Sequence, residues 1–116
     1  IDALPIQEEN DISYKSNREG FAHLCGHDGH ASIALGLIKS LVANPPKRPV
    51  YVLFQPAEET GMGAKEVLKD SVFSSIPFTG AYALHNLPGK ELGKICYAKD
   101  FFSASVTSFA MRLKGT

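Results

Sequence analysis

The sequence predicts an α/β fold, a sheet flanked by helices, on three observations. An apolar stripe at helical spacing covers residues 31–43, short β-rich apolar runs occupy 50–54 and 81–84, and the two kinds of element alternate along the chain. A strand that is apolar on both faces needs cover on both sides, which helices packed on a sheet provide. With 116 residues and 44% hydrophobic side chains, the chain can supply one core.

The elements follow in order. Ile33, Leu37 and Leu41 fall four apart with Ala34, Ile38 and Val42 beside them, the apolar face of a helix over 31–43. Asp28 stands where an N-cap would, and Asn44 with Pro45-Pro46 closes the helix, because proline has no N–H to continue the ladder. Val50 to Phe54, bounded by prolines, predicts a strand buried on both faces. Met62 to Lys69 predicts a short helix and Ala81 to Leu84 a second buried strand. Lys94 to Ala98 and Ser105 to Leu113 alternate in part and predict two more strands. The chain opens without Met on Ile1-Asp2-Ala3-Leu4-Pro5 and closes just after an apolar run, the pattern expected of a segment of a longer protein.

Charge and composition exclude several classes. Twelve Lys and Arg balance twelve Asp and Glu, so no net field would hold a nucleic-acid backbone or an anionic membrane surface. No apolar run approaches the roughly 20 residues needed to span a bilayer. Two distant cysteines, Cys25 and Cys96, do not make a disulfide framework and are expected in a reducing, cytoplasmic setting.

Three short stretches carry the chemistry, each at an element end. His23-Leu24-Cys25-Gly26-His27-Asp28-Gly29-His30 gathers a thiol, imidazoles and a carboxylate within eight residues, and Gly26 and Gly29 let the backbone fold tightly enough for them to converge. That density favours a metal; the alternative is a loop of exposed histidines in which Asp28 only caps a helix. Phe54-Gln55-Pro56-Ala57-Glu58-Glu59 places two carboxylates after a predicted strand, where ligand sites of α/β sheets gather. One could bind a metal while the other takes a proton from water. Alone, the pair reads better as an acidic helix start favoured by the dipole. Tyr82-Ala83-Leu84-His85-Asn86 brings a histidine to the end of another predicted strand. A single such histidine is usually structural, but beside the other two stretches it becomes a plausible ligand.

Taken with Asp2-Ala3-Leu4-Pro5-Ile6, these stretches resemble, in order and spacing, the amidohydrolase family of co-catalytic metallopeptidases, whose members include hippurate hydrolase, N-acyl-L-amino-acid amidohydrolase, N-acetyldiaminopimelate deacetylase and the indoleacetyl-amino-acid hydrolases. The resemblance implies a zinc-peptidase-like catalytic domain interrupted by a smaller α+β lid or dimerisation domain, with residues 1–102 in the former and 103–116 entering the latter. It implies Cys25, His27, Glu59 and His85 as metal ligands, Glu58 as general base and Asp2 as the aspartate that orients the metal site. His23 and His30 receive no role from it beyond local structure, and Cys96 reads as a buried free thiol. Two divalent ions are implied, zinc or manganese first, with cobalt or nickel as alternatives. The implied substrate is an N-acyl amino acid or small peptide, and the implied assembly a homodimer through the lid. A further metal-binding histidine and the oxyanion-stabilising residues of the lid are expected outside these 116 residues. Two rivals stay open from the residues: Cys25 as the nucleophile of a thiol hydrolase, and a non-catalytic metal-binding module.

Overall fold

The computed structural model describes residues 1–115. It contains three helices, α1 (His27–Ala43), α2 (Gly63–Lys69) and α3 (Ser71–Ser74). The chain divides into two compact units, Ile1–Asn86 and Leu87–Thr116. The division follows Asn86, so the expected catalytic-to-lid boundary at 102/103 lies inside the second unit.

The first helix starts earlier than the apolar pattern indicates. Gly26 is its N-cap, in the left-handed region at φ 88°, and Asp28 lies in the first turn rather than at the cap. A carboxylate there still complements the exposed N–H groups of the helix start. Asn44 ends the helix as predicted, its N–H donating to the Ser40 carbonyl at 2.9 Å. The apolar face is shifted. Ala31, Ala34, Ile38 and Leu41 are half-buried, while Ile33, Leu37 and Val42 are 53%, 49% and 75% exposed. Apolar side chains surround most of this helix, so spacing alone does not select a face; buried His27 lies on the stripe that is covered.

The second helix matches its expected range to within a residue, with Met62 as N-cap. It is entered through a tight turn in which Gly61 N–H donates to the Glu58 carbonyl at 2.8 Å and Gly63 N–H to the Ala57 carbonyl at 3.0 Å. A side chain at buried Gly63 would run into the Pro56 carbonyl. The third helix has no counterpart in the sequence reading. Its N-cap, Asp70, accepts the Phe73 N–H at 2.8 Å through Oδ1, which satisfies one of the orphan donors of the first turn. Phe73 and Phe78 pack at 4.9 Å between ring centroids, and Phe78 meets Tyr51 edge-on at 6.0 Å.

Residues 50–54, 81–84, 94–98 and 105–113 form no strand among the described residues. A strand exists only through a ladder partner, and these runs make no backbone hydrogen bonds to one another. The two expected to be buried are exposed instead, with Tyr51 at 57%, Leu53 at 53% and Leu84 at 53%. Among the described residues the one bridge is antiparallel, Leu4 to Ala22, closed by N–H to carbonyl bonds of 2.9 and 3.1 Å. Ala22, 1% exposed, is the buried apolar residue and His27, 5% exposed, the buried polar one. The second unit carries turns at Gly89 and Gly93, both at positive φ, and a local Lys94–Glu91 ion pair of 2.6 Å. Cys96, expected to be buried, is exposed, because the run that carries it has no partner to cover it.

Candidate metal centre

The site lies within the first unit and is built around His27. Because the helix begins at the left-handed Gly26, His27 turns inward, and its ring is fixed by the opening segment of the chain. Nδ1 lies 3.1 Å from the backbone carbonyl of Asp2 and 3.3 Å from its Oδ1. A carbonyl only accepts, so Nδ1 donates toward Asp2. Nε2 faces the two carboxylates, with Glu58 Oε2 at 3.6 Å and Glu59 Oε1 at 3.8 Å.

Asp2 is tied to the same place from its other side. Its Oδ2 accepts the backbone N–H of Glu59 at 3.1 Å, and the amino group of Ile1 donates to the Gln55 carbonyl at 2.6 Å. The first residues therefore run alongside 55–59. Partial desolvation pushes the Asp2 carboxyl up, but backbone N–H donors from Glu59, Asp2 and Glu58 and the nearby amino terminus outweigh it and leave the pKa below the usual value. Asp2 Oδ1 is buried without a hydrogen-bond partner.

The acidic pair is presented by a strained turn. Ala57 adopts φ 53°, a conformation that a residue with a Cβ rarely takes, and its carbonyl accepts from both Thr60 Oγ1 and Gly63 N–H. The two carboxylates are nearly equidistant from His27, but their other neighbours differ. Glu59 lies beside the Cys25 thiol, whereas Glu58 is grouped with Asp2 and His27.

Cys25 and His85 complete the cluster, Sγ lying 3.5 Å from Nε2. His85 also donates from Nδ1, to the Asn86 carbonyl at 2.8 Å, so its Nε2 lone pair points at the sulfur. The hydrogen bond to Glu59 raises the Cys25 pKa most, followed by desolvation and the negative charges of Glu59, Glu58 and Asp2. The rings of His27 and His85 stand 6.0 Å apart.

Two sets of donor atoms could each hold a cation: Cys25, His27 and His85, and Asp2, His27 and Glu58, each with its atoms within 4.8 Å of one another. The chemistry of these sets suits a divalent ion. They combine thiol, imidazole and carboxylate donors, they concentrate negative charge, and they include a buried carboxylate oxygen with no partner. Each histidine has Nδ1 committed to a backbone carbonyl and Nε2 aimed at the other donors, the arrangement that orients imidazole ligands.

All six residues singled out from the sequence, Asp2, Cys25, His27, Glu58, Glu59 and His85, are thus gathered in one place. His30 and Asn86 join them, with His30 Nε2 2.7 Å from Asn86 Oδ1 and the His30 ring 4.6 Å from that of His85. The sequence offered a signal for His30, three residues beyond His27 on a helix, but none for Asn86. His23 is exposed and outside the cluster.

Residues 1–108 match the family model described as peptidase family M20/M25/M40. The chain belongs to this family. It is 40% identical over 119 aligned positions to a protein named uncharacterized hydrolase from Staphylococcus epidermidis. It is 37% identical over 115 positions to one named N-acetyldiaminopimelate deacetylase from Listeria welshimeri, and 39% identical over 115 to one of that name from Exiguobacterium sibiricum. Each alignment covers 99% of this chain and 31% of the relative, so the chain spans about a third of their length. No solved structure matches it. The resemblance read from the motifs is therefore met at the level of the family. No helix among the described residues is long and apolar enough to cross a membrane.

Proposed function

We propose that the complete protein is a metal-dependent amidohydrolase acting on N-acyl amino acids or small peptides, with Glu58 as general base. The observation that carries this reading is the pair of histidines whose Nε2 atoms face a thiol and two carboxylates while their Nδ1 atoms are occupied. Family membership supports hydrolysis, and the deacetylase names of two relatives support an N-acylated amino acid as substrate.

Cys25, His27, Glu59 and His85 would hold the ions. When bound, a pair of divalent ions would acidify a water and polarise an amide carbonyl. Glu58, on the exposed side of His27, would accept the proton of the attacking water and return it to the departing amine. Asp2 would keep His27 in one tautomer through its carbonyl and hold the acidic turn through its carboxylate. The same reading places residues 50–54 and 81–84 in a sheet of the complete α/β domain, where partners and cover would come from the remaining length of the protein.

A thiol-nucleophile mechanism fits the site poorly. Three carboxylates around Cys25 hold its pKa above the usual thiol value, whereas a nucleophilic cysteine needs neighbours that favour the thiolate. The test is a hydrolysis assay of the complete protein on a panel of N-acyl amino acids, before and after chelator treatment and after addition of Zn²⁺ or Mn²⁺. Activity lost to chelator and restored by the ion is expected. Activity that survives chelation and disappears on alkylation of Cys25 would establish the thiol mechanism instead.

A further inference from the structure

His85 reaches the site on an exposed stretch with neither strand nor helix to hold it. Its ring is nevertheless oriented, because Nδ1 donates to the Asn86 carbonyl and leaves the Nε2 lone pair toward Cys25. That carbonyl belongs to a residue which is itself held from α1. His30 Nε2 lies 3.0 Å from the Asn86 backbone nitrogen and 2.7 Å from its side-chain Oδ1. Either tautomer of His30 keeps the two joined: protonated at Nε2 it donates to Oδ1, and unprotonated there it accepts the backbone N–H. The close approach depends on Gly26, where a Cβ would collide with the Asn86 carboxamide. His30 also stacks edge-on against His85, with an interplanar angle of 68°. One helix thus carries both His27 and the anchor of His85.

We propose that His30 and Asn86 are positioning residues, a latch that fixes His85 with Nδ1 protonated and Nε2 facing Cys25 before any ion arrives. Neither residue supplies a donor of its own to the ion. Outer partners of this kind typically tune metal affinity by roughly 10-fold to 100-fold, by holding a ligand's tautomer and direction. The inference rests on the metal reading above, and its test separates the two.

The complete protein and two variants are titrated with Zn²⁺ against a competing chelator. His30→Phe keeps a ring against His85 but removes the hydrogen bonds, and its affinity should fall by about 10-fold to 100-fold. His30→Gln supplies an amide donor and acceptor at a reach close to that of Nε2, and should recover most of the loss. In metal-free protein with ¹⁵N-labelled histidine, His85 should show a single tautomer protonated at Nδ1 in the wild type and in His30→Gln, and a mixture in His30→Phe. A merely structural role for His30 would not move that signature. Unchanged affinity or an unchanged tautomer in His30→Phe, or a His30→Gln variant no better than His30→Phe, overturns the latch while the metal reading stands. Wild-type protein that binds no Zn²⁺ overturns both.

Discussion

The segments that meet around His27 and the stretch after Asn86 both lack strands among the described residues, yet they are held in different ways. Residues 1–4, 22–30, 55–59 and 85–86 are tied together by long-range hydrogen bonds, from Leu4 to Ala22 and His27 to Asp2 out to Ile1 to Gln55, Glu59 to Asp2 and His30 to Asn86. In residues 87–115 the hydrogen bond and ion pair are local, and Leu92, Ile95 and Tyr97 are 105%, 92% and 88% exposed. Apolar burial does not explain the contrast, since the described residues contain a single buried apolar side chain. The difference comes from polar groups that also make up the candidate metal centre. If that centre binds metal as proposed, damage to the fold there should appear in metal binding too.

That comparison can be broken by substitution. His27→Ala should have the largest effect, because it removes the residue common to both donor sets and the one buried polar side chain among the described residues. Elemental analysis of the complete protein should then find metal near background, and retention of wild-type metal content would show that His27 is peripheral. Glu58→Gln should come next. It keeps the shape of the side chain but removes the base, so turnover should fall by roughly 100-fold or more with metal still bound. Glu59→Gln should instead lose metal, and the reverse behaviour would exchange the roles of the two.

A backbone effect should be smaller. Gly26→Ala forces a Cβ into the left-handed region at φ 88° and against Asn86, and should lower stability to urea by about 1–2 kcal/mol from the conformation alone. No measurable loss would mean that the loop has another way to turn. The smallest effect belongs to the second unit. Lys94→Ala removes an ion pair whose side chains are 61% and 75% exposed, and should change stability by no more than about 0.5 kcal/mol. A loss comparable to that of Gly26→Ala would erase the distinction between the two stretches.

The candidate site residues could be named from the sequence because the motifs that carry the family resemblance are short and closely spaced. Cys25, His27, Glu58, Glu59 and His85 could be picked out without knowing how the chain turns between them. The helix end marked by Asn44 and Pro45-Pro46 was legible from a local stop signal. The start of α1 was not, since Asp28 is a good cap in isolation and only the left-handed Gly26 moves the start forward. The short helix α3, capped by Asp70, has no apolar stripe long enough to mark it. Strands depend on partners distant in sequence, and for the runs 50–54 and 81–84 no partner lies within the described residues. The positive φ of Ala57 and the hold of His30 on Asn86 leave no compositional trace, being set by the convergence of segments rather than by any one of them.

On the proposed function, Cys25, His27, Glu59 and His85 together bind the ions on which hydrolysis depends. The most direct measurement is the metal content of the purified complete protein beside that of a Cys25→Ala, His85→Ala double variant. About two divalent ions per subunit are expected in the wild type, as co-catalytic chemistry requires, and a clear loss in the variant. Undiminished metal in the double variant would contradict the account, because the thiol and imidazole that lie 3.5 Å apart would then have no part in holding it.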